Sequence, residues 1–215
     1  MRDGPEGPAE LDVLLAAVDA VHAADPRFAT WPEPWDGPPP DDAYRRVTRP
    51  ERYRTIAARV AAWCRVLVDA GLAVRDPAVA PWGWSPTNGP EDLTRLRPVV
   101  DGALPLLLDV GSTDVQGDQV RIGVGEPAVE VAVVPHCGCD ACDGGSEGLL
   151  DAIDGVIGSV VAGVLVHESG DGWSRTVTLE GWSTSNPDRA DADRAEAART
   201  GRRRWRTVAG PAWWS

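Results

Sequence analysis

The sequence predicts an α+β fold: an antiparallel sheet of about five to six strands covered by two or three amphipathic helices, with long Pro/Trp-rich loops. Three observations carry this expectation. Apolar residues recur at helical spacing in three separate segments, valine-rich stretches alternate in and out between them, and no regular strand–helix–strand repeat links them.

Residues 9–24 align Leu11, Leu14, Leu15, Val18 and Val21 on one stripe, with Asp12 and Asp19 off it. This is an amphipathic helix. His22 lies at its end, where a cation complements the helix dipole, and a structural role is expected for it. Residues 26–47 then contain six prolines, with Trp31 and Trp35 among them. Proline lacks the N–H donor and clashes with the preceding turn, so the segment should be an extended arm, not a helix, pinned by its tryptophans. A peptide-like recognition arm is the other reading.

Thr48-Arg49-Pro50-Glu51 opens the second helix, with Thr48 as cap and Glu51 closing a capping box. Tyr53, Ile56, Val60, Trp63, Cys64 and Leu67 form its stripe, and Gly71 ends it. Cys64 lies within the stripe, as a buried structural thiol would. Residues 75–94 are irregular. Trp82 and Trp84 flank Gly83 there, either covering the core or offering a platform for a ring-shaped ligand.

Asp101-Gly102 between apolar runs signals a two-residue hairpin. Val120, Ile122 and Val124 alternate with polar or small residues, as do Val129, Val131 and Val133 after Gly125-Glu126-Pro127. Residues 147–161 give a third helix through Leu149, Leu150, Ile153, Val156, Ile157 and Val160. A further hairpin, 164–168 with 173–181, turns at Ser169-Gly170-Asp171-Gly172. Ser185-Asn186-Pro187-Asp188 starts a charged helix whose only apolar residues through 199 are alanines. Residues 1–185 are therefore expected as one domain, and 186–215 as a charged helical, Arg/Trp-bearing extension.

All 21 basic residues are Arg, and the net charge of −12 disfavours general binding to nucleic acid or to anionic membranes. Residues 199–215 are the local exception. They hold five Arg and no acid, leaving about −17 on the remainder. Arg202-Arg203-Arg204-Trp205-Arg206 has the residue types for a single-strand contact, but docking of the tail on its own acidic body is the favoured expectation. No segment reaches membrane-spanning length. Asp3, Glu6, Asp12 and Asp19 interrupt any signal-peptide core, so the chain is expected in the cytoplasm with reduced or metal-bound cysteines.

The densest chemistry is His136-Cys137-Gly138-Cys139-Asp140-Ala141-Cys142, a strand-to-helix connection. Cys139 and Cys142 have the spacing at which two thiolates share a metal, and Cys137 is near enough to be a third ligand. Zinc is the candidate ion, and structural zinc takes four ligands. His136 is the adjacent choice for the fourth, though ligation by both it and Cys137 would strain the loop. Asp140, Asp143, His167 and Cys64 are the others. A second ligand pair of the usual spacing is missing. A thioredoxin-like Cys-x-x-Cys, or a thiolate nucleophile with His136 or His167 as base, is an alternative use of the loop. Reduced thiols with no ligand are a third.

Gly102-Ala103-Leu104-Pro105-Leu106-Leu107-Leu108, then Pro135 through Asp143 with its Cys-Gly-Cys-Asp-Ala-Cys-Asp core, then Leu149-Leu150 and Asp154 resemble an uncharacterised actinobacterial family, domain of unknown function 6226. The Thr48–Tyr53 stretch fits too, so the resemblance covers roughly residues 40–185. It implies a bacterial cytosolic protein of unassigned activity and transfers no catalytic residue. The sequence holds no Ser-His-Asp pattern, P-loop, HExxH or GxGxxG after a strand. The expected class is thus a non-enzymatic protein that works through a protein partner, which its acidic body suits.

Overall fold

The computed structural model describes residues 7–76, 93–113 and 117–214. The pair Trp82 and Trp84 lies outside the described residues. The fold is α+β, with four α-helices and two antiparallel sheets, of five and four strands, among the described residues. Where one sheet of five to six strands was expected, the strands divide between two.

Helix α1 (Gly7–Ala23) and helix α2 (Arg54–Asp69) pack on each other, and α3 (Gly145–Val161) packs against both. The expected stripe of α2 is the centre of the core: Ile56, Val60, Trp63, Cys64 and Leu67 are all buried. Each such aliphatic side chain contributes about 1.5–3 kcal/mol. At its C-terminus Gly71 takes φ +70°, and Leu72 N–H donates to the Leu67 carbonyl at 3.0 Å, the left-handed closure that glycine permits. Its start differs from expectation. A 3-10 turn, Pro50–Tyr53, precedes the helix, and no side chain caps either element. The Thr48 hydroxyl is committed elsewhere.

The larger sheet is a meander, β1 (Ala73–Asp76), β2 (Leu93–Pro98), β3 (Leu106–Thr113), β4 (Gly117–Val124) and β5 (Val129–Val134), in sequence order. Leu106 lies opposite Val124 and Leu108 opposite Ile122, all with no exposed surface, and this face meets α2. Two details depart from the sequence pattern. Asp101-Gly102 is the centre of a turn closed by Ala103 N–H to the Val100 carbonyl, but the β2–β3 pairing resumes only at Leu96 with Leu106, so the connection is long rather than a two-residue hairpin. In β5 a bulge opposite Ile122/Gly123 shifts the register. Ala132 pairs with Ile122 and Val134 with Val120, which puts these two on the core side in place of Val133. A single extra residue reverses the faces of a strand.

The smaller sheet holds β6 (Val166–Gly170), β7 (Trp173–Thr178), β8 (Gly181–Ser185) and β9 (Arg206–Ala209), in the order β8-β7-β6-β9. The β6–β7 hairpin closes where expected, at Gly170 with Trp173. Helix α4 (Pro187–Thr200) starts at Asn186, whose side chain accepts from Arg189 N–H, and ends at Gly201. Trp173 Nε1 donates to Asp193 at 2.8 Å, and Arg194 pairs with Glu168. After α4 the chain returns as β9 beside β6. Trp213, with no exposed surface, and Val208 enter the same apolar cluster as α2. Gly163 makes room for this: a Cβ there would meet Ala212 N at 2.4 Å. Among the described residues no helix is long and apolar enough to cross a membrane.

Candidate metal centre

The arm and the cysteine loop form one unit. Residues 26–47 run as an irregular strap with one 3-10 turn, Asp41–Arg45, the single helical departure from the extended arm expected there. An indole N–H buried in such a strap needs an acceptor, and both tryptophans find one on the loop. Trp31 Nε1 donates to Asp143 Oδ1 at 2.8 Å, and Trp35 Nε1 donates to the Asp140 carbonyl at 2.9 Å.

The two aspartates between and after the cysteines are therefore anchors. Asp140 accepts from Thr48 N–H and from the Thr48 hydroxyl, both at 2.6 Å, and from Arg46 Nε at 3.0 Å. Burial opposes its charge, but the Thr48 and Arg46 donors outweigh that and hold the carboxyl below its usual range. Asp143, almost wholly buried, accepts from Gly145 N–H at 3.0 Å and pairs with Arg52 Nη2 at 2.7 Å. Arg52 itself sits 5.2 Å from the Trp31 ring centre and 5.1 Å from that of Tyr53, and the two rings meet edge-to-face. Charge-assisted bonds of this kind contribute about 1.5–3 kcal/mol each. Gly145 takes φ +84°, and a Cβ there would stand 2.8 Å from Glu33 N, so arm and loop meet at a position only glycine fills.

On this frame the thiols converge. The Sγ atoms of Cys137, Cys139 and Cys142 all lie within 4.8 Å of one another, with Cys137 and Cys139 at 3.3 Å. Cys139 is buried and Cys142 exposed, and all are free thiols. The short turn Asp140–Cys142, closed by Cys142 N–H to the Cys139 carbonyl at 3.0 Å, brings the outer pair together. Burial resists ionisation of Cys139, yet sulfur donors from Cys137 and Cys142 and the N–H groups of Cys142 and Ala141 bring its thiol below the ordinary value. Cys142 is pushed up to about 11, first by its hydrogen bond to Cys139 and then by burial. The arrangement is a three-sulfur cup able to chelate one thiophilic cation.

The other ligands considered from sequence stand apart. His136 is exposed and outside the three-sulfur group. His167 is buried in β6, its Nδ1 2.9 Å from Thr176 Oγ1. Cys64 is buried in α2, where burial raises its thiol to about 11. Sequence reasoning missed Arg46, Thr48 and Arg52 as the clamp. Their only local signal is an Arg-rich stretch that reads as a solvated helix start.

A model described as a family of unknown function (DUF6226) matches residues 18–215, and the chain belongs to that family. No curated protein matches it. No solved structure does either.

Proposed function

We propose that this family member is a zinc-binding cytoplasmic protein acting through interaction. Cys137, Cys139 and Cys142 would hold the ion, and a ligand from outside the loop would take the fourth position. The observation that carries the reading is the approach of three sulfurs within 4.8 Å on a loop whose path is set by other residues. Zinc–thiolate bonds of about 2.3 Å at tetrahedral angles place sulfurs about 3.8 Å apart. Small side-chain rotations bring the three to that spacing.

A cup already held by Asp140 and Asp143 loses little chain entropy when an ion enters, so loop order adds to affinity. His22 and His167 are committed to Thr55 and Thr176, which leaves exposed His136 as the one histidine available as a base to the thiols. Reduced thiols suit the cytoplasm. An acidic chain of −12 suits a basic protein partner.

Titration of the reduced apoprotein with cobalt(II) tests this. Thiolate-to-metal charge-transfer bands should saturate near one equivalent, vanish in each of Cys137→Ser, Cys139→Ser and Cys142→Ser, and persist in His136→Ala. Absence of those bands, or bands that survive the triple substitution, refutes the site.

A further inference from the structure

Between α1 and α3, over α2, lies an open cleft of about 770 Å³. Ligand sites fall at roughly 300–1,000 Å³. Leu15, Asp19 and His22 of α1 line one side, at i, i+4 and i+7. Glu147, Leu150, Asp151 and Asp154 of α3 line the other at matching helical spacing.

Arg59 of α2 lines the cleft with a side chain only 5% exposed. Its guanidinium is fully engaged. Nε donates to Asp154 Oδ1 at 2.9 Å, Nη2 binds the other Asp154 oxygen, and Nη1 pairs with Asp19 at 2.7 Å. Asp154 also accepts Trp63 Nε1 at 2.7 Å. The single cation of the lining is therefore neutralised, with no edge left for an anion. His22, 2% exposed and bonded to Thr55 Oγ1 at 2.9 Å, adds no charge at neutral pH, because burial lowers its pKa.

Glu147 and Asp151 remain. They stand one turn apart on α3, exposed, and neither makes an ion pair among the described residues. Like charges at that spacing repel, so the pair is poised for a cation. Beside them the cleft is apolar. Phe28, the only Phe of the chain, is 42% exposed and lies edge-to-face on the His22 ring at 5.0 Å. Carboxylates without ion-pair partners that share a cleft with an exposed aromatic ring are complementary to an ammonium on a hydrocarbon body.

We infer that this cleft binds a small organic cation, a primary amine on an aromatic or alkyl body. Glu147 and Asp151 take the ammonium, and Leu15, Phe28 and Leu150 take the body. The site goes beyond the metal reading and needs no ion in the cysteine loop. Trp31 touches both, since it lines the cleft and its indole N–H holds Asp143.

Calorimetric titration of the full chain with phenethylamine, tryptamine and 1,6-diaminohexane hydrochlorides, against 3-phenylpropionate, tests the inference. At least one amine should bind saturably at one site per chain. That affinity should fall at least about tenfold in Glu147→Gln/Asp151→Asn. The carboxylate analogue should not bind, and Cys139→Ser should bind the amine as the parent does. Methyl resonances of Leu15 and Leu150 in the unsubstituted protein should move with the same saturation, which locates the site without any variant. No saturable binding of the three amines at millimolar concentration overturns the inference. So does unchanged affinity in the folded double variant, or binding of 3-phenylpropionate as tight as that of the amines.

Discussion

Thr48 gives Asp140 two hydrogen bonds, from its backbone N–H and from its hydroxyl, each 2.6 Å long, across 92 positions of the chain. This pairing fixes the middle of the cysteine loop to the start of the second helix. It explains why Thr48 does not cap that helix, and it anchors the loop independently of the sulfurs.

Replacing Asp140 by Ala leaves the Thr48 N–H without its acceptor and Arg46 with Asp42 alone, at a position where the carboxylate is buried. The expected loss is about 2–4 kcal/mol by urea unfolding, with faster amide exchange through 135–146 and a weaker metal site. A loss under about 0.5 kcal/mol, the usual range for a surface change, would show that the clamp does not hold the loop.

Cys64 should behave as a core residue. It is 2% exposed, and burial pushes its thiol to about 11, so it should resist alkylation at neutral pH in the folded state. Truncation to Ala should cost roughly 1–2 kcal/mol through lost packing. Mass spectrometry showing rapid labelling of Cys64 in native protein contradicts this burial.

Trp213 ties the C-terminus to the body. It has no exposed surface, and β9 just before it pairs with β6. Trp213→Ala should cost about 3–5 kcal/mol. Among the described residues its indole N–H finds no hydrogen-bond partner, so Trp213→Phe should retain well over half of that stabilisation. Equal melting points for the parent and the Ala variant would show that the tail is not part of the core.

Acidification should destabilise the protein in two windows. His22 and His167 titrate below the ordinary 6.5, first because they are buried and then because Arg59 and Arg206 respectively are near. The unfolded chain binds more protons there, so stability falls as pH drops through 6.5 toward the folded values. Asp140 acts lower. Its depressed pKa stabilises the fold above the ordinary 3.8, and that contribution is lost as pH falls through the folded value. Thermal midpoints should drop between about pH 7.5 and 5.5, and drop less in His22→Gln/His167→Gln. A rising midpoint contradicts the burial of the two rings.

The legible parts of the fold are those with a strong apolar period. The stripes of α1, α2 and α3 and the alternation around Val120, Ile122 and Val124 could be read directly, because one face of each is buried. Strands β8 and β9 could not. Gly181–Ser185 is nearly all exposed, and Arg206–Ala209 buries only Val208, so neither shows a period of two. The expected strand count is low for that reason, and because β1 overlaps the segment 75–94 read as irregular. The cysteine cup was visible as spacing, because sulfur ligands are rare and local. Its clamp was not, because Thr48, Arg46 and Trp31 lie about a hundred positions away from Asp140 and Asp143. The cleft was missed for a related reason. Asp19, Glu147 and Asp151 lie off the apolar stripes and read individually as solvated charges.

The proposed zinc site needs all three thiols on one ion. Elemental analysis, combined with thiol counting, tests it on full-length protein purified under reducing conditions without a metal-affinity tag. About one zinc per chain is expected, with Cys137, Cys139 and Cys142 slow to react until a chelator is added. Each single Ser substitution should lose most of the metal. Substoichiometric zinc, with all three thiols freely reactive from the start, would contradict the proposed site.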